Sequence, residues 1–95
     1  MYYVYVLLSE STGQCYLGWT TDLRRRLCEH NEGHSEATRN RGPYKLIYFE
    51  AYSHREEAKG RERALKHHPN AYRQLKNRLF RSLPFASSRP KEVVG

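Results

Sequence analysis

The run YYVYVLL at Tyr2 to Leu8 is filled with aromatic and branched side chains and has no helical period, so it reads as a strand. SESTGQ follows, a stretch of turn residues in which Gly13 can take a positive φ, and then a second apolar run from Cys15 to Trp19. Two such runs so close together make an antiparallel hairpin, with Tyr3 and Tyr5 on one face and Val4 and Val6 on the other.

A hairpin needs a cover, and 95 residues leave room for one domain of two packed layers. Thr20, Thr21 and Asp22 supply N-cap candidates for a helix from Leu23 to about Asn31, which Gly33 would stop. GHSEATRNRGP lacks apolar periodicity and is expected to be an exposed loop ending before a third strand, YKLIYFEAY. Ser53, with Glu56 as capping-box partner, is expected to open a second helix that carries an internal Gly60 and ends at Pro69. Asn70 should restart a third helix, Ala71 to about Phe80, with Tyr72, Leu75 and Leu79 inward and Arg73, Lys76 and Arg81 outward. The expected order is β-β-α-β-α-α, a compact α/β (α+β) domain over residues 1–81 with a mostly antiparallel three-stranded sheet flanked by helices. One sheet face is packed and part of the other is open. Residues 82–95 are expected to form a flexible tail.

The formal charge of +7 calls for a polyanionic partner, because clustered Lys and Arg release counterions from phosphate backbones. No long apolar run or signal peptide appears, so a membrane partner is set aside and a cytoplasmic or nucleoid-associated protein is expected. Cys15 and Cys28 lack the spacing of a zinc pair and read as unpaired residues of a strand and a helix. Eight tyrosines, against three phenylalanines and one tryptophan, make an amphipathic core whose hydroxyls stay available for hydrogen bonding or proton transfer.

Chemistry concentrates where hairpin and helices meet. On the first helix Leu23 and Leu27 mark the inward stripe; Arg26 lies close to it, whereas Arg24 and Arg25 point away. His30 stacks one turn beyond Arg26, so the two can address a common anion; the plainer readings are an ion pair for Arg26 and a helix-dipole contact for His30. On the second helix Glu62 falls between the buried positions Ala58 and Leu65, and a carboxylate there needs either Arg26 or a divalent cation to neutralise it. Tyr5 and Tyr16 are expected cross-strand neighbours. Gly18, in a strand, implies close approach of a ligand or another backbone, or a bulge.

The segments YVY at Tyr3 to Tyr5, YLG at Tyr16 to Gly18, DLRRRLCEHN at Asp22 to Asn31 and EEAKGRERALK at Glu56 to Lys66 resemble, in order and spacing, the GIY-YIG endonuclease superfamily. The first motif reads Tyr-Val-Tyr where the family has Gly-Ile-Tyr, and Leu17 stands for the usual Ile. The resemblance covers about residues 2–80 and is shared with small stand-alone bacterial members and with the junction-cutting branch. It implies metal-dependent hydrolysis of DNA phosphodiesters, in DNA repair or recombination. Carried over to this chain, it makes Tyr5 and Tyr16 the motif tyrosines, Arg26 the family arginine, His30 the histidine one turn on, and Glu62 the single ligand of Mg²⁺ or Mn²⁺. Either tyrosine is the candidate base, and either Asn70 or Asn77 the candidate for the family asparagine. Gly18 is then expected to admit the scissile phosphate, with Arg24, Arg25, Arg39, Arg41, Arg73 and Lys76 holding the flanking backbone. Branched DNA, single strands and RNA remain candidate substrates, with a partner protein supplying specificity. The alternatives are a noncatalytic nucleic-acid-binding module using the same basic, tyrosine-rich face, and a small regulatory protein whose basic face meets an acidic partner.

Overall fold

A computed structural model describes residues 1–33 and 42–82. Strands β1 (Tyr2–Ser9) and β2 (Cys15–Thr20) form the hairpin, followed by helix α1 (Leu23–Asn31), strand β3 (Tyr44–Tyr52) and helices α2 (Arg55–His67) and α3 (Pro69–Ser82). The expected element order holds. The sheet is antiparallel throughout, in the order β2-β1-β3.

Local chemistry explains most boundaries. Gly13 takes φ 75° in the hairpin turn, and its N–H donates to the Ser9 carbonyl at 2.9 Å. Of the three candidate caps for α1, Asp22 prevails, accepting from the Arg25 N–H at 3.1 Å, while Thr20 Oγ1 accepts from the Asp22 N–H. Gly33, at φ 79°, follows the helix end. Two expectations fail at the later helices. The residue capping α2 is His54, which makes no side-chain cap bond, so the Ser53–Glu56 capping box does not form; Glu56 and Glu57 still place negative charge in the positive first turn. Helix α3 begins at Pro69 rather than after Asn70, because proline's missing N–H and fixed φ suit a first helical position as well as they end the preceding helix.

Alternation along the strands sorts the core into two clusters. Val4, Val6 and Leu17 pack on one face with Ala58 and Leu65 from α2 and Leu75 and Leu79 from α3. Tyr5, Leu7 and Tyr44 form the other cluster with Leu23 and Leu27 from α1 and Leu46 from β3. Helices therefore flank both faces, and part of the tyrosine face, around Phe49, stays open. A bulge between Val6 and Leu7 skips Ile47 in the register with β3. On the α2 side, Glu50 takes hydrogen bonds from the hydroxyls of Tyr48 and Tyr52 and from Arg61 Nε and Nη2. Burial works to raise its pKa, yet these donors hold the carboxyl below its usual range. Arg61 thus ties α2 to β3.

Two substitutions on α2 should move stability in opposite directions. Leu65 is 1 % exposed, so Leu65→Ala is expected to cost about 2–5 kcal/mol. A Cβ on Gly60 meets nothing within 4 Å, so Gly60→Ala should gain about 0.5–1 kcal/mol. Urea denaturation of both variants checks the pair.

Candidate active site

The register places Tyr5 opposite Gly18 and Leu7 opposite Tyr16, which makes the two tyrosines diagonal neighbours, their ring centroids 6.4 Å apart. Tyr5 lies across its partner strand. A Cβ built on Gly18 would stand 2.5 Å from Tyr5 Oη and 2.8 Å from its Cζ. The room that Gly18 leaves is therefore filled by the Tyr5 phenol and not by a phosphate, and no bulge interrupts the β1–β2 register.

Helix α1 meets that phenol from above. Capping by Asp22 fixes the helix start, and its Leu23–Leu27 stripe seats it on the tyrosine face, so Arg26 and His30 both point at Tyr5. Arg26 Nε donates to Tyr5 Oη at 3.3 Å, and His30 Nε2 lies 3.1 Å from the same oxygen. With the arginine donating, the phenol hydrogen is free to go to His30 when the imidazole carries its proton on Nδ1. Tyr16 packs against His30, centroids 4.7 Å apart at a tilt of 59°, and the Tyr44 ring lies 6.0 Å away.

Burial and charge set the protonation states. Desolvation pushes the Tyr5 pKa up against the lowering effect of Arg26, so the phenol is neutral at pH 7. Burial, reinforced by the Arg26 charge, lowers His30 to about 4, with Glu29 opposing. His30 is 1 % exposed and uncharged; a helix-dipole contact, which requires an imidazolium, does not describe it. Arg26 Nη1 donates to Glu29 Oε1 at 2.9 Å, which raises the arginine's pKa further and fixes its guanidinium.

Glu62 is paired differently from expectation. Its partner is Lys66 one turn on, at 3.0 Å, and not Arg26. The Glu62 side chain is 19 % exposed, and its negative charge contributes to raising the Tyr5 pKa. Helix α2 packs on the valine face and Tyr5 lies on the other, so Glu62 makes no hydrogen bond or ion pair to Tyr5, Arg26 or His30.

The other basic residues divide. Arg24 and Arg25 are exposed on α1, beside Arg26, with Arg25 3.8 Å from Glu29. Arg73 and Lys76 belong to α3, which packs on the valine face through Leu75 and Leu79, so they stand on the side of the sheet away from Tyr5. Arg73 bonds Asn70, and Lys76 Nζ covers the Tyr72 ring at 4.4 Å. Neither they nor the α3 residues Asn70 and Asn77 line the tyrosine site. Arg39 and Arg41 lie outside the described residues. Two contributors had no assigned role in the sequence reading. Glu29 is visible there by its i+3 spacing from Arg26. Asn31 is not: its amide donates to the Tyr44 carbonyl at 3.2 Å and accepts from the Tyr44 N–H at 2.6 Å, a clamp between α1 and β3.

A family model, the GIY-YIG catalytic domain, matches residues 1–77. The chain belongs to the GIY-YIG family. These are nuclease domains, hydrolases that bind nucleic acid and generally use divalent metals. The chain is 43 % identical over 67 residues to a UPF0213 protein of Clostridium perfringens, a match covering 70 % of this chain and 71 % of that one. It is 48 % identical over 65 residues to a UPF0213 protein of Streptococcus pneumoniae, covering 67 % of this chain and 65 % of that protein's length. The solution NMR structure of the UPF0213 protein BH0048 from Bacillus halodurans matches with a TM-score of 0.53 at 33 % identity, over 94 % of this chain and 96 % of that one. No helix among the described residues of this GIY-YIG protein is long and apolar enough to cross a membrane.

Gly18→Ala is expected to drive the Tyr5 ring off its seat, costing about 1–3 kcal/mol and weakening the Tyr5–His30 contact in NMR spectra. His30 also predicts an acid limb. A histidine whose folded pKa is depressed contributes stability that is complete above its unfolded pKa, near 6.5, and is lost as pH falls toward about 4. The loss should be of order 2–3 kcal/mol across that window. Chemical denaturation of wild type and His30→Gln between pH 4 and 7 should show the slope in the first and a flatter profile in the second.

Proposed function

We propose that this protein is a divalent-metal-dependent endonuclease that hydrolyses DNA phosphodiester bonds. The observation that carries the reading is the convergence of Arg26 and His30 on one buried phenol, Tyr5, in a chain of the GIY-YIG family.

Among the described residues no group of three or more His, Cys, Asp or Glu side chains could hold a metal. A lone carboxylate still suits Mg²⁺ or Mn²⁺, hard cations that fill the rest of their shell with water and substrate oxygens. Glu62 is that carboxylate, and Lys66 is the cation that shields it here. When bound, the metal would supply charge stabilisation and an activated water.

The chain's own residues do the remainder. Arg26, braced by Glu29 at 2.9 Å, offers its guanidinium to the phosphoryl oxygens as negative charge builds in the transition state. Lysine would be a poor substitute, having a point charge and no fork. Tyr5 is a neutral phenol, too weak a base by itself. His30, uncharged and 3.1 Å away, accepts the phenol proton as the phenol oxygen takes one from the attacking water. Tyr16 packs against His30 at a tilt of 59° and orients it, and in this reading Tyr5, bonded to the imidazole, handles the proton. Arg24 and Arg25 extend the positive surface for the flanking backbone. A role in repair or recombination on branched DNA, in the cytoplasm or nucleoid, fits this surface.

Glu62→Gln and Arg26→Ala are each expected to abolish Mg²⁺- or Mn²⁺-dependent nicking of labelled DNA, with circular dichroism spectra unchanged and EDTA abolishing wild-type cutting. Full cutting by both variants would overturn the assignment. DNA binding without any cutting by the wild type would leave the noncatalytic module.

A further inference from the structure

Phe49 is 50 % exposed in a domain that otherwise buries most of its large apolar side chains; among the described residues only Met1, at 63 %, joins it. Phe49 stands directly opposite Tyr5 in the β1–β3 register and shares its sheet face. Tyr3, one alternation along β1 on that face, meets Phe49 edge-on, with ring centroids 5.8 Å apart at 74°. Neither ring belongs to either core cluster. The α1 stripe of Leu23 and Leu27 covers the far end of this face, over Leu7, Tyr44 and Leu46, and stops short of Phe49. Ala51, opposite Tyr3, is small and exposed, so nothing from β3 shields the pair.

An edge-to-face pair leaves a π-face free, and here that face lies on the same side of the sheet as the proposed phosphate site, on a protein of charge +7. We propose that Tyr3 and Phe49 form a stacking platform for an unpaired nucleobase beside the scissile phosphate, which makes single-stranded nucleic acid the substrate class. In a duplex the bases stack on one another and offer no face to a flat sheet; an unpaired base offers one and gains from an aromatic ring whatever its identity. The phosphate is drawn by Arg26 and its neighbours and the adjoining base by Phe49, the two interactions that single-strand binding combines. The proposal rests on the nuclease reading for the neighbouring phosphate, but the platform itself binds without metal or chemistry.

Fluorescence anisotropy in EDTA with a labelled oligo-dT and a duplex of equal length, at low and high salt, tests it. Phe49→Ala should weaken oligo-dT binding about tenfold, leave duplex binding unchanged, and keep that deficit at high salt, whereas Phe49→Trp should retain wild-type affinity. Phe49 is exposed, so both variants should keep the wild-type circular dichroism spectrum. Equal losses on both substrates, or no loss on either, would overturn the platform. So would a fall in molecular mass on Phe49→Ala with oligo-dT affinity intact, which would make the face a contact between two copies of the chain. Because no divalent ion is present, these outcomes are independent of whether Glu62→Gln stops cleavage.

Discussion

The Tyr5 phenol lying on Gly18 is the contact from which the rest of the site follows. Tyrosine in the middle strand of a three-stranded sheet normally points its hydroxyl out of the layer. Without a Cβ opposite, it tilts over β2, with its oxygen within 2.5 Å of where that carbon would be. That tilt brings the hydroxyl under α1, where Arg26 and His30 bond it. A larger residue at 18 or a shorter one at 5 would break both relations together.

Charges in the site are divided so that none is left bare. Arg26 has Glu29, Glu62 has Lys66, and His30 avoids the problem by staying neutral. Pairing Arg26 with Glu29 on its own helix fixes the guanidinium before any phosphate arrives, which is what preorganised electrostatic stabilisation needs. Pairing Glu62 with an exposed lysine leaves its carboxylate oxygens exchangeable, since a half-exposed ion pair is worth little. On the opposite face Glu50, holding two phenols and a guanidinium, anchors the helix that carries Glu62.

Periodicity made the strands, α1 and the inward position of Arg26 legible in the sequence, because alternation and a 100° helical step are local rules. Spacing also showed that Glu62 sits between buried positions. Which partner each charge takes was not legible: Arg26 pairs with Glu29, where proximity within a helix makes the bond at little entropic cost. The Gly18–Tyr5 packing depends on register and on a side-chain tilt across strands, and the Asn31 clamp on Tyr44 depends on a fold that brings 31 and 44 together. That Arg73 and Lys76 stand on the valine side was not legible either, because charge alone does not say which face of a sheet a helix will cover. The Ser53 cap failed because a capping box is a preference that the entering chain overrode.

The most direct measurement is a crystal structure of the Glu62→Gln protein with a single-stranded oligonucleotide. One phosphate oxygen should lie at hydrogen-bond distance, about 2.7–3.2 Å, from the Arg26 guanidinium, with a water in the same reach of Tyr5 Oη. A nucleic-acid backbone bound elsewhere, with Tyr5 still sealed between Gly18, Arg26 and His30, would contradict it.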